Sequence, residues 1–225
     1  MKKKKGLFIV LDGIDGAGKA TQTEFLLKRL KKAGYKTGTL DFPRYYDNFF
    51  GHMVGQYLAG EFGNPDPHLA SVLYALDRWE SKEHIKKDLD AGKIFVCNRY
   101  ASANMIHQGG RIEKPRKRKE MMEFLEKMEF EVLGIPRPDL VIYLDVLPET
   151  GRKLVGNKDA RAYTKGKKRD ILEKDRQHLI DARNQALRLA KSDPVWKKID
   201  CMCGKDIRTP EDISESVWIE VSKML

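Results

Sequence analysis

The chain has 225 residues, 41% hydrophobic and 34% charged, which excludes a disordered or collagen-like polymer and fits one globular domain over residues 1–225. Its formal net charge of +10 points to an anionic partner, and composition leaves open whether that is nucleic acid, a membrane surface or a phosphorylated metabolite. No apolar run approaches the ~20 residues of a membrane span, and Lys2 to Lys5 precede a run too short for a secretory signal. With three cysteines and no second pair at zinc spacing, the expectation is a cytoplasmic protein with reduced thiols.

Apolar runs of strand length alternate with longer stretches of helical period, the pattern of parallel βαβ units. Five strands are expected, over Leu7 to Asp12, Thr37 to Phe42, Ile94 to Asn98, Leu140 to Val146 and Trp196 to Met202. Helices are expected over Thr21 to Lys32, closed by Gly34, then His68 to Ala91, Arg118 to Leu133, Asp170 to Ala190 and Pro210 to Met224. The fold class is α/β, a doubly wound domain with a five-stranded parallel sheet, whose ligands gather beyond the carboxyl ends of the strands. Two basic clusters, Lys114 to Lys119 and Lys165 to Arg169, interrupt the pattern; the second leads into a helix and is the better candidate for function.

The first strand runs into Gly13-Ile14-Asp15-Gly16-Ala17-Gly18-Lys19, followed by Ala20 and Thr21 at the start of a helix. This is phosphate-loop spacing. Backbone N–H groups converge on phosphate oxygens, glycines permit the close approach, the helix N-terminus adds positive potential, and Lys19 brings a mobile charge. Residues 13–21 are therefore the expected nucleotide-phosphate site. Ala20 stands where a Ser or Thr usually gives a hydroxyl to Mg²⁺, so other groups must take that place.

From Gly13 to Gln22 the chain resembles the thymidylate kinases, P-loop enzymes that move a phosphoryl group from ATP to dTMP. Phe42-Pro43-Arg44-Tyr45, Leu73 to Arg78, Asn98-Arg99-Tyr100, Pro138-Asp139-Leu140, Leu144-Asp145-Val146 and Thr209-Pro210-Glu211 agree in the family's order. The resemblance implies a P-loop NTPase-type three-layer α/β/α fold, Mg²⁺ as cofactor, ATP and dTMP as partners, a homodimer, and no stable nucleic-acid partner. Asp15 resembles the acid that meets the acceptor's 3′-hydroxyl or its magnesium. Phe42, Arg44 and Tyr45 resemble the segment beside the acceptor phosphate, and Arg99 the arginine that clamps it. Tyr74 falls where the family stacks a ring on thymine, Arg78 one turn later should reach a base carbonyl, and Asn104 lies where an amide meets the base, with Gln108 one turn on as a further candidate for substrate contact.

The departures lie near the chemistry. Asn98 replaces the usual aspartate at the strand end, and His107 stands where bacterial relatives often have a tyrosine near the sugar. The phosphate loop lacks an arginine, so a bacterial-type lid at about residues 156–170 should supply it. Arg161 and Arg169 are the candidates there, with Lys165, Lys167 and Lys168 beside them. Glu173, in Asp170-Ile171-Leu172-Glu173, together with Asp15 is the expected magnesium-holding pair. Lys205 to Arg208 should border adenine. Lys19, Arg99, Asp15, Arg161 and Arg169 are thus the expected catalytic set. Two other readings stand beside it: a kinase for another nucleoside monophosphate such as dUMP or UMP, and a catalytically poor nucleotide or nucleic-acid binder.

Overall fold

A computed structural model describes residues 6–156 and 176–225. Five parallel strands, β1 Leu7–Asp12, β2 Thr37–Asp41, β3 Ile94–Asn98, β4 Leu140–Asp145 and β5 Trp196–Asp200, form one sheet in the order β2-β3-β1-β4-β5. β3 and β4 are buried along their whole length, as continuous apolar runs in a doubly covered sheet must be. The register pairs Leu11 with Asn98 and with Ile142, so the ends of β1 and β3 lie side by side. Asp139 ties the start of β4 to β1: its Oδ2 accepts from Phe8 N and its own N–H donates to Phe8 O, both at 2.8 Å.

Every expected strand is present. Phe42, Val146 and Met202 lie just outside them; Met202–Cys203 (β6) instead pairs with Asp206–Ile207 (β7) in a short antiparallel hairpin. Helix α1 spans Lys19–Lys32, starting two residues before the expected Thr21 because Gly18, at φ 82°, forms its left-handed N-cap. The helix expected over 68–91 is two, α3 Pro67–Glu80 and α4 Lys82–Asp90, divided at Ser81. No Gly or Pro marks that break, so periodicity alone runs straight through it. The helix expected from Arg118 begins at Pro115 as α6 (Pro115–Glu126) and continues as a π-helical turn, Lys127–Val132. In the second described stretch, α8 covers Arg176–Ser192, and the last helix, α9, covers Pro210–Ser222.

Among the described residues, three helices lie where none is expected: α2 Phe49–Ala59, α5 Ala101–Gly110 and α7 Pro148–Gly156. Helix α5 shows why. Its buried face carries Ser102, Asn104, His107 and Gln108, so apolar periodicity has little to report. Right-handed crossovers that reverse direction in this strand order place α1 on one face of the sheet and α5 and α8 on the other. Helix α9 packs on α1, and α5 on α8. The main core fills both faces; a smaller cluster of Val54, Tyr57, Leu58 and Ala70 joins α2 to α3. Among the described residues no helix is long and apolar enough to cross a membrane. The expected lid, with Arg161, Lys165, Lys167, Lys168, Arg169 and Glu173, lies outside the described residues except for Gly156.

Candidate active site

The connections that leave the carboxyl ends of β1 and β3 part at the point where the strand order reverses, and they enclose a cleft of about 430 Å³. At one end lies the phosphate loop. Asp12, the last residue of β1, accepts from Gly13 N at 2.8 Å and from Ser102 Oγ at 2.6 Å, fixing the loop to the first turn of α5. Gly16 has φ 83° and faces helix α7, where a Cβ would collide with the Gly151 carbonyl. Ile14 and Ala17 send their side chains into the core, so their contribution to a ligand is backbone N–H. Ala20 lines the cleft; Thr21 is exposed on the first turn of α1.

Lys19 folds back over the loop and donates to the carbonyls of Gly13 and Ile14, each at 3.0 Å. Burial, with the nearby Arg99 charge adding, lowers its pKa to about 8. The loop thus carries a cation that is poorly solvated and costly to keep charged without a counter-ion.

Arg99 follows β3 in a left-handed conformation, φ 64°, anchored by its N–H to Leu11 O at 2.9 Å. That geometry turns its side chain across the strand ends, where it pairs with Asp15 of the phosphate loop. Its Nη1 donates to His107 Nε2 at 2.9 Å. A guanidinium can only donate, so His107 Nε2 must be unprotonated and its proton must sit on Nδ1. That proton points at His178 Nε2 of α8, 3.3 Å away, with the two imidazoles stacked at 5.4 Å. Burial, reinforced by Arg99 and His178, holds the His107 pKa well below the ordinary imidazole value.

The far end of the cleft is lined by Phe42, Arg44, Tyr45, Tyr74, Arg78, Asn104 and Gln108. Arg44 donates to Ser81 Oγ at 3.1 Å, and its backbone N–H to Asp77 Oδ2 at 3.1 Å. Asp77 also accepts from Asn48 Nδ2 at 2.9 Å, yet burial raises its pKa. Tyr74 meets Tyr57 edge to face, with centroids 6.2 Å apart. Arg78 and Asn104 are both buried and both bound to Glu129 of the π-helical turn. Burial opposes the Arg78 charge, and Glu129 outweighs it, leaving the guanidinium pKa raised. Gln108 already accepts from Arg111 Nη1 at 3.0 Å.

The described residues expected to meet the phosphates and the acceptor therefore gather in one cleft or its loop, Thr21 on the first turn of α1 excepted. Four that sequence reasoning did not single out complete it: Asp12, Asp77, Glu129 and His178. Glu129 left a trace, because it occupies the buried rung after Met121 and Leu125, where an apolar residue belongs. Residues 205–208 form the tip and exit of the β6–β7 hairpin, with Arg208 donating to Asp200 O, Asp212 O and Ser216 Oγ rather than reaching into the cleft. The Lys114 to Lys119 cluster opens α6 and is spent locally, Arg116 on Glu120, Lys119 on Glu123 and Arg118 on the carbonyls of Ile112 and Glu113.

Among the described residues no group of three acidic, His or Cys side chains could cage a metal. Asn98 lines the cleft, however, and its buried Oδ1 has no hydrogen-bond partner among the described residues. With the Asp15 carboxylate nearby it makes a sparse oxygen donor set, which suits an ion that keeps most of its ligands as phosphate and water.

The family model described as thymidylate kinase matches residues 11–200. The chain belongs to the thymidylate kinase family. It is 30% identical over 199 residues to a thymidylate kinase of Pseudomonas fluorescens, covering 87% of each chain, and 29% identical to one of Mycobacterium tuberculosis, covering 75% of this chain and 78% of that one. Against the human thymidylate kinase it is 30% identical over 65% of this chain, a stretch spanning 64% of the human one. The solved thymidylate kinase of Candida albicans shares the fold, with a TM-score of 0.74 at 18% identity over 97% of this chain and 92% of that chain. Membership in the thymidylate kinase family accords with the phosphate loop at residues 13–19 and the parallel sheet that carries it.

Proposed function

We propose that the chain transfers the γ-phosphoryl group of ATP to dTMP, giving ADP and dTDP. The observation that carries this reading is Arg99, held at the end of β3 between Asp15 of the phosphate loop and the cleft that Tyr74, Arg78 and Asn104 line. It stands where a donor and an acceptor phosphate would meet.

Phosphoryl transfer needs little covalent work from protein; it needs two phosphates in line, charge neutralised and water excluded. The N–H groups of residues 13–19 and the Lys19 ammonium hold the ATP phosphates. On ATP binding Lys19 leaves its two carbonyl partners for phosphate oxygens, and the counter-ion restores its ordinary basicity. Arg99 and Arg44 hold the acceptor phosphate, Arg99 in a direction set by Asp15 and His107. Tyr74 offers a ring face to the base, while Arg78 and Asn104 meet its edge. Bound Mg²⁺ would neutralise charge on the donor phosphates, and Asn98 Oδ1 with Asp15 would hold it in place of the missing Ser/Thr hydroxyl, with Glu173 as a further carboxylate. Arg161 and Arg169 complete the charge around the transferred group. The exposed apolar side chains Phe49, Leu69 and Trp79 of α2 and α3 favour a homodimer, and the free thiols of Cys97, Cys201 and Cys203 suit a reducing cytoplasm.

The test is ADP formation from Mg·ATP with each nucleoside monophosphate in turn. A preference for dTMP supports the reading; preference for a purine acceptor overturns it. Arg99→Ala should lower kcat/KM for the acceptor by at least about a hundredfold, and an unchanged value would remove Arg99 from the phosphate site.

A further inference from the structure

The base-reading end of the cleft rests on one buried carboxylate. Glu129 is fully buried and projects from the π-helical turn onto two cleft residues at once. Its Oε2 accepts from Arg78 Nε at 2.9 Å, its Oε1 pairs with Arg78 Nη2, and Oε1 also accepts from Asn104 Nδ2 at 2.8 Å. The second Nδ2 hydrogen of Asn104 goes to the carbonyl of Ser71 at 3.0 Å.

These contacts leave the amide no choice of orientation. A carboxylate and a carbonyl can only accept, so the atom between them must be the nitrogen, and both its hydrogens are used. What Asn104 offers to the cleft is therefore Oδ1, an acceptor. Arg78 is committed to Glu129 through Nε and Nη2, and its Nη1 makes no hydrogen bond among the described residues. What Arg78 offers is a donor.

We infer that Glu129 is a positioning residue that fixes this acceptor-and-donor pair, so that the cleft selects a pyrimidine with an N3–H and a C4 carbonyl over one with a bare N3 and a C4 amino group. Thymine and uracil carry the first edge and cytosine the second. On cytosine, N3 would face Oδ1, acceptor against acceptor, and the amino group would face the guanidinium, donor against donor. Unpaired polar groups in a buried site discriminate strongly, more than the loss of a methyl contact does. The inference rests on the proposed function for the presence of a base at this end, and it makes no use of the 5-methyl group.

The experiment measures kcat/KM for dTMP, dUMP and dCMP with full-length wild type, Glu129→Gln and Glu129→Asp, alongside thermal melting of each. Wild type should favour dUMP over dCMP, as well as dTMP over dCMP. Glutamine at 129 is isosteric but carries its own donors, so it no longer forces the Asn104 nitrogen inward. The dTMP-to-dCMP ratio should fall at least about tenfold in Glu129→Gln, mainly through KM for dTMP. A merely structural defect would lower both substrates together and leave the ratio alone. An unchanged ratio in folded Glu129→Gln, or a wild type that takes dCMP better than dUMP, would overturn the inference. Should Glu129→Gln fail to melt cooperatively, Glu129→Asp decides, since it keeps the charge but draws the carboxylate back from Arg78 and Asn104: a fallen ratio supports the assignment and an unchanged one overturns it. Absence of activity with every pyrimidine, in protein that melts normally, would instead refute the kinase reading beneath it.

Discussion

Lys19 and His107 are both buried beside Arg99, and each answers that charge by giving up or refusing a proton. For Lys19 the consequence is a link between pH and nucleotide. With its pKa lowered to about 8, a fraction of the free protein lacks the proton near that pH. Triphosphate binding favours the charged form, so binding at about pH 8 should be accompanied by proton uptake, and affinity should weaken as pH rises beyond it. Calorimetric titration with ATP in two buffers of different ionisation enthalpy measures this directly; a buffer-independent enthalpy would contradict it. For His107 the sign is opposite in pH. An unfolded imidazole titrates near about 6.5, whereas the folded one is held well below its ordinary value by burial, Arg99 and His178, with Asp15 too weak an opponent. As pH falls below about 6.5 the unfolded chain takes up a proton that the folded chain refuses, so stability present above that pH is progressively lost. Melting temperature should drop between about pH 7.5 and 5.5, and His107→Gln, whose side-chain oxygen can still accept from Arg99, should flatten part of the drop.

At the scale of elements, what was legible in the sequence followed from what apolar periodicity can see. The strands and the phosphate loop stood out because β1, β3 and β4 are buried on both faces and the loop needs Gly16 and Gly18 at positive φ. Helix α5 was silent because its inward face is largely polar, and Asn104, His107 and Gln108 on it line the candidate cleft. Asp77 and Glu129 were missed for a related reason: a carboxylate on a helix is ordinarily read as a solvated face, and burial alone shows that these two serve Arg44 and Arg78. The contact of the phosphate loop with α7 also has no sequence signature, since it is made by backbone. A Cβ added at Gly151 would press on the Asp15 carbonyl, and one at Gly16 on the Gly151 carbonyl. Gly151→Ala should therefore raise KM for ATP severalfold while leaving KM for the acceptor near wild type, measured by steady-state kinetics at saturating cosubstrate.

For the whole molecule, the excess of basic residues acts through distance rather than contact. The chain carries a net charge of +10 and the substrates proposed for its cleft are both anionic, so encounter should be steered electrostatically. The association rate for Mg·ATP should fall several-fold as salt rises from about 20 to about 200 mM, where the screening length shrinks below the size of the domain, while the chemical step changes little. Stopped-flow binding with a fluorescent ATP analogue separates the two, and a rate flat in salt would confine the role of the charge to solubility. The pair of facing glycines has a consequence for inheritance at this same scale. Because neither has a side chain with which to yield, a methyl gained on one can be relieved only by backbone retreat elsewhere in α7 or the loop. Revertants of a Gly151 variant should then map to the helix and the loop together, marking them as one unit of selection although Gly16 and Gly151 lie far apart in the chain.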